Sequence, residues 1–63
     1  MKLTLKGARV NANLTIDEVA KKVKKSKNTI IAYEKGRRSP SMQVGKELAT
    51  LYGVSVDDLI FLP

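Results

Sequence analysis

"SKNTIIAYEKGRRSP", residues 26–40, decides how the rest of the chain is read. It begins as a helix and ends as a loop carrying positive charge. Ser26 is a capping residue, Ile30 and Tyr33 fall three apart on one apolar face, and Gly36 supplies the left-handed stop that helices favour. Packing accounts for those residues. It does not account for Lys27 and Asn28 on the first exposed turn, or for Arg37 and Arg38 beyond the exit.

Upstream, "TIDE" at residues 15–18 matches a capping box, with Thr15 as cap and Glu18 reaching back. Ile16, Val19, Ala20 and Val23 follow at i, i+3, i+4, i+7, which predicts an amphipathic second helix. Asp17 and Glu18 sit where the positive end of its dipole favours acids. A first helix is expected from Leu5, Ala8 and Ala12, capped by Thr4 and ended near Asn13, a residue that tolerates positive φ. Downstream, "GRRSPS" reads as a loop, because Pro40 biases Ser39 away from helix. A fourth helix runs from about Met42 to Tyr52 with Val44, Leu48, Leu51 and Tyr52 on one face and Gly53 as its stop. A short fifth helix is expected from Ser55, which pairs with Asp58 in another capping-box pattern and buries Val56, Leu59 and Ile60. No alternating strand pattern, repeat or low-complexity tract is visible. The expected fold is all-α, five short helices in one domain over residues 1–63.

With 63 residues the chain buries only about 60% of its unfolded surface, so a compact core and modest stability are expected. It has no cysteine and no histidine, which excludes disulfides and Cys/His metal sites. No cofactor is expected. No apolar run has the length of a signal peptide or a membrane span, so a soluble, cytoplasmic protein is the expectation. The net charge is +6, and its distribution is uneven. Between Thr15 and Arg38 lie Lys21, Lys22, Lys24, Lys25, Lys27, Lys35, Arg37 and Arg38, opposed by Asp17, Glu18 and Glu34, nearly the whole surplus. A basic patch confined to one structural unit is the footprint of a polyanion partner.

Only Lys24, Lys25 and Ser26 separate the second and third helices, a spacing that forms a helix-turn-helix. The third helix then projects its N-terminal residues outward, where they can enter a DNA major groove. Lys27, Asn28 and Thr29 are the first exposed positions and the candidate base-contacting residues. Asparagine pairs two-pronged with adenine, and lysine donates to guanine acceptors. Ser26 and the helix N-terminus can hold phosphate, and Arg37 and Arg38 can reach the flanking backbone. Ile31 lies off the core stripe, in reach of a thymine methyl, although an isolated exposed apolar residue is ordinary.

The run L-T-x-x-E-V-A-x-x-V-x-x-S-x-x-T-I-x-x-Y-E-x-G-x-R-x-P-S, from Leu14 to Ser41, resembles the lambda-repressor-like (Xre/Cro/CI) helix-turn-helix family. "LATLYGVSVDDLI" from Leu48 is similar to that family's fourth and fifth helices, so the resemblance spans about Leu5 to Ile60. It implies a five-helix DNA-binding domain, usually dimeric on a palindromic operator. It places Lys27, Asn28 and Ala32 on base-reading positions. Ser26, Lys35 and Arg37 fall on phosphate-contacting ones, and Lys25 and Arg38 are further candidate backbone contacts. It also implies an ion pair between Arg9 and Glu34. Two features depart from the pattern. Lys24 and Lys25 stand where the family usually has a glycine and a small or apolar residue. Ile16 replaces a polar residue that often touches phosphate, a contact for which the two lysines are the available substitute.

Rival classes are weaker. An enzyme would have to work with Asp17–Glu18 or Asp57–Asp58, which helix dipoles already explain. Membrane-surface binding has the lysines of the second helix but no aromatic anchors, and the helix's apolar stripe is needed for the core. An antitoxin or protein-interaction module on the same fold, engaging a partner through "LIFLP", is the main alternative. The expected function is a sequence-specific double-stranded DNA-binding transcriptional regulator, a repressor of bacterial or phage type. With no ligand or effector domain expected, regulation would come through concentration, partners or sequence outside this chain. Ile60, Phe61 and Leu62, with the end of the fourth helix, are the expected patch for a weak homodimer formed on DNA.

Overall fold

Each helix begins at a hydroxyl and most end at a left-handed residue. In the computed structural model, which describes residues 2–61, β1 (Leu3–Thr4) leads directly into α1 (Leu5–Asn11), where Thr4 accepts a hydrogen bond from the Gly7 amide. Asn13 then takes φ 60°, as the sequence suggests for the turn into α2 (Ile16–Val23). The capping box at the start of α2 is complete: the Glu18 amide donates to Thr15 Oγ1 at 3.1 Å, and the Thr15 amide donates to Glu18 Oε1 at 2.8 Å. The bond from the Thr15 amide holds the Glu18 carboxyl below its usual range. Ser26 caps α3 (Lys27–Lys35) and Ser41 caps α4 (Met42–Tyr52), while Gly36 and Gly53 close those helices at φ 78° and 72°.

The apolar stripes meet in one core. Leu5 and Ala8 from α1, Val19, Ala20 and Val23 from α2, and Ile30 and Tyr33 from α3 are buried together with Val44, Leu48, Ala49 and Tyr52 from α4. Ile30, Leu48 and Val19 are the largest side chains fully withdrawn from water. Both tyrosines are therefore core residues, as their position on apolar faces suggests.

The expected fifth helix is not formed. A single 3-10 turn, Val56–Asp58, gives way at Leu59 (φ −88°, ψ 137°) to β2 (Leu59–Ile60). β2 pairs in parallel with β1 in the register Leu3↔Leu59 and Thr4↔Ile60, so the four helices make the crossover between the strands. Ser55 Oγ accepts from the Asp57 amide at 3.2 Å, one residue short of the capping-box geometry anticipated with Asp58. So few residues cannot repay the cost of helix nucleation, whereas an extended segment gains ladder bonds from β1. The same change exposes Ile60 and leaves Leu59 as the buried residue of the segment, with Val56 half-buried. The Lys2 ammonium donates to the Asp57 carbonyl at 2.6 Å and ties the two chain ends further.

A candidate nucleic-acid interface

The turn before α3 is built to present that helix. Lys24 takes the left-handed conformation (φ 58°, ψ 43°), and the amides of Lys24 and Lys25 both donate to the Ala20 carbonyl, closing α2. The chain then extends at Ser26 (ψ 155°) and re-enters a helix at once. Lys24 thus does with a lysine what a glycine would do without strain. Ser26 Oγ accepts from the Thr29 amide at 3.2 Å and shares a hydrogen bond of 2.8 Å with the Thr29 hydroxyl. Thr29 is half-buried in this cap. Lys27 and Asn28, immediately before it, are exposed.

The opposite face of α3 is anchored. Ile30 and Tyr33 enter the core, while Ile31 and Ala32 are half-buried between the two faces. Glu34 is held by Arg9 of α1: Arg9 Nε donates to Glu34 Oε2 at 2.6 Å and Arg9 Nη2 to Glu34 Oε1 at 3.3 Å. Arg9 Nη1 donates to the Leu14 carbonyl at 3.0 Å. One guanidinium therefore links α1, the turn before α2 and the last turn of α3. The two side chains are only 12% and 9% exposed. The hydrogen bond to Glu34 raises the Arg9 pKa further above its ordinary value, against the effect of burial. The aromatic ring of Tyr52 lies within the field of this pair, and burial, with the Glu34 charge, pushes its hydroxyl up to about 12.

The exit from α3 folds back on the helix. The Arg37 amide donates to the Ala32 carbonyl at 2.9 Å and the Arg38 amide to the same oxygen at 3.4 Å, a Schellman-like closure around Gly36. Lys35, Arg37 and Arg38 are exposed around it. Lys21, Lys22, Lys24 and Lys25 are exposed on the preceding helix and turn. Along the chain the exposed pair Lys27 and Asn28 opens α3, after the exposed lysines of α2 and its turn and before the exposed cations of the α3 exit. The structure sets Ala32 deeper and links the hydroxyls of Ser26 and Thr29 by one hydrogen bond, in which the accepting hydroxyl keeps its own proton to donate.

Sequence reading missed a residue at this surface. Asp17, accounted for by the α2 dipole, lies 3.7 Å from the Lys27 ammonium. The contact joins residues ten apart on different helices, so no periodicity along one helix announces it.

The helix-turn-helix family profile matches residues 5–59. The chain belongs to the lambda-repressor-like helix-turn-helix family. It is 42% identical over 59 residues to an uncharacterised HTH-type transcriptional regulator of Methanocaldococcus jannaschii, covering 94% of this chain and 89% of that one. It is 39% identical over 56 residues to the cryptic phage CTXphi transcriptional repressor RstR of Vibrio cholerae, covering 89% of this chain and 50% of the repressor. An uncharacterised HTH-type transcriptional regulator of Archaeoglobus fulgidus is 30% identical over 59 residues, with 94% of this chain and 83% of the regulator covered. No solved structure matches the chain at a significant level. Among the described residues, no helix is long and apolar enough to cross a membrane.

Proposed function

We propose that this chain is a transcriptional repressor that reads double-stranded DNA with the first turn of α3 and grips the flanking phosphates with the cations around it. Membership of the family makes it a DNA-binding transcriptional regulator. The likeness to a phage repressor supports the sign of regulation. The observation that carries the site is the exposed pair Lys27–Asn28 on a helix whose other face is locked into the core. Lys27 and Asn28 read base edges, with Thr29 and Ala32 further along the same helix limiting how close the groove floor comes. Lys25, Ser26, Lys35, Arg37 and Arg38 hold the backbone, and the free amides at the α3 N-terminus add to that hold.

Two copies are expected to bind a palindrome about one helical turn apart. The sequence points to Ile60, Phe61 and Leu62 with the end of α4 for their contact, and the reading proposed here starts from Phe61. Phe61 lies over Gly45 near the start of α4, and exposed Met42 lines the same groove, so the contact is proposed there. Leu62 lies outside the described residues. Sedimentation with and without a full palindrome tests this: monomer alone and dimer on DNA is the expected result.

Asn28→Ala decides the reading of bases. A bidentate pair with adenine is worth about 1–3 kcal/mol of discrimination, so specific affinity should fall by that amount and affinity for random duplex should hardly change. Arg37→Ala should weaken both duplexes and flatten the dependence of log affinity on log salt by about one. Titrations by fluorescence anisotropy, with duplexes selected from a random pool, measure both. Equal loss on all duplexes for Asn28→Ala would make it a phosphate contact.

A further inference from the structure

Of the three acids between Thr15 and Arg38, two are occupied structurally. Glu18 closes the capping box and Glu34 holds Arg9. The third, Asp17, faces Lys27 across the helix-turn-helix at 3.7 Å. Lys21, one turn along the same helix in the orientation that favours an ion pair, is not its partner among the described residues. Both Asp17 and Lys27 are open to water, their side chains 66% and 60% exposed, so the contact holds little of the fold together. Its position is more telling than its strength. It puts a carboxylate against the lysine that opens the reading helix.

A lysine ammonium is a compact charge on a flexible stem, and it satisfies a phosphate as readily as a guanine edge. Binding to random DNA consists almost wholly of phosphate contacts. We infer that Asp17 is a specificity-determining residue: its carboxylate offsets the Lys27 charge and repels phosphate, so that Lys27 contributes to binding only where a base edge accepts it. The inference rests on the proposed reading of DNA by α3 and adds to it a residue that makes no attractive contact with DNA. Asp17 acts by weakening the wrong complexes, a use of repulsion that specific binding sites need.

The test compares wild type, Asp17→Asn, Lys27→Met and the double variant on two duplexes, one selected from a random pool and one of scrambled sequence. Asp17→Asn should tighten the scrambled duplex by up to about five-fold, the size of an exposed ion pair's effect. It should steepen the salt dependence of that complex by about 0.9 in the log–log slope. The selected duplex should gain less, so the ratio of the two affinities falls. In the Lys27→Met background the gain on scrambled DNA should largely vanish. Asp17→Ser, which keeps a residue suited to the first turn of a helix, should behave as Asp17→Asn does, and thermal melts check that both variants fold. An equal gain with Lys27 present or replaced would mean that Asp17 acts only through net charge, and the inference would fail. So would an unchanged affinity ratio. A wild type that prefers no duplex from the pool would instead overturn the reading of bases by α3, on which the inference stands.

Discussion

Arg9 and Glu34 are the two charges with most at stake in the fold. Their contact is two-pronged, mostly shielded from water, and supplemented by the Leu14 carbonyl. Removing either partner leaves the other charge in a site shaped for a pair. In a molecule only 18 Å through its thinnest direction no atom is far from solvent, so the cost should be about 3 kcal/mol, the low end for a stranded buried charge. Glu34→Gln and Arg9→Met should each lower the melting temperature. The double variant should lose at least about 1 kcal/mol less than the two single losses combined. Denaturant titration of the four proteins measures that coupling. Strict additivity would mean that the two side chains are neighbours without being partners.

At the scale of elements, backbone conformation decides which small residues are interchangeable. Lys24 sits at φ 58° with an exposed side chain, so Lys24→Gly relieves left-handed strain and should stabilise the fold by up to about 1 kcal/mol. The same change removes one cation from the turn and should lower affinity for any duplex. Gly45 lies inside α4, and a Cβ there would meet Phe61 Cζ at 3.5 Å, an ordinary contact. Gly45→Ala should therefore gain about 0.5–1 kcal/mol from helix propensity. Gly7→Ala should not share the gain, because its Cβ would come within 3.1 Å of Thr4 Oγ1, the atom that caps α1. Thermal melts of the three variants check the order. A Gly7→Ala protein as stabilised as Gly45→Ala would show that the cap is dispensable.

For the whole molecule, alkaline pH is a sensitive probe of the join between the ion pair and the core. The Tyr52 hydroxyl ionises near about 10 in an unfolded chain but is held to about 12 in the fold, chiefly by burial. The unfolded state thus releases this proton first as pH rises. Tyr52 contributes its full stabilisation below about pH 10 and loses it progressively as pH climbs through about 12. Wild type should therefore lose more stability than Tyr52→Phe between about pH 9 and about pH 12, measured by urea unfolding at each pH. Equal losses would place the phenol in contact with water in the folded state.

The four helices, their caps and their stops were legible in the sequence because each depends on residues within about one turn. Thr15 and Glu18, Ser26 and Gly36, and Gly53 act on backbone groups three or four residues away. The buried faces followed for the same reason, since a 3.6-residue period sorts Ile30 and Tyr33 from Lys27 and Asn28 without reference to other elements. The clustering of charge in residues 15–38 is a property of sequence alone. Contacts between distant segments were not legible. Leu59–Ile60 carries no alternation long enough to announce a strand, and it becomes one only because Leu3–Thr4 lies beside it with unpaired backbone groups. Phe61 falls over Gly45 near the start of α4, a contact between residues far apart in the sequence. Asp17 meets Lys27 only after the turn at Lys24 brings two helix starts together. Local hydrogen bonding and side-chain period were enough to specify the elements, while strand pairing and facing charges depended on where those elements came to rest.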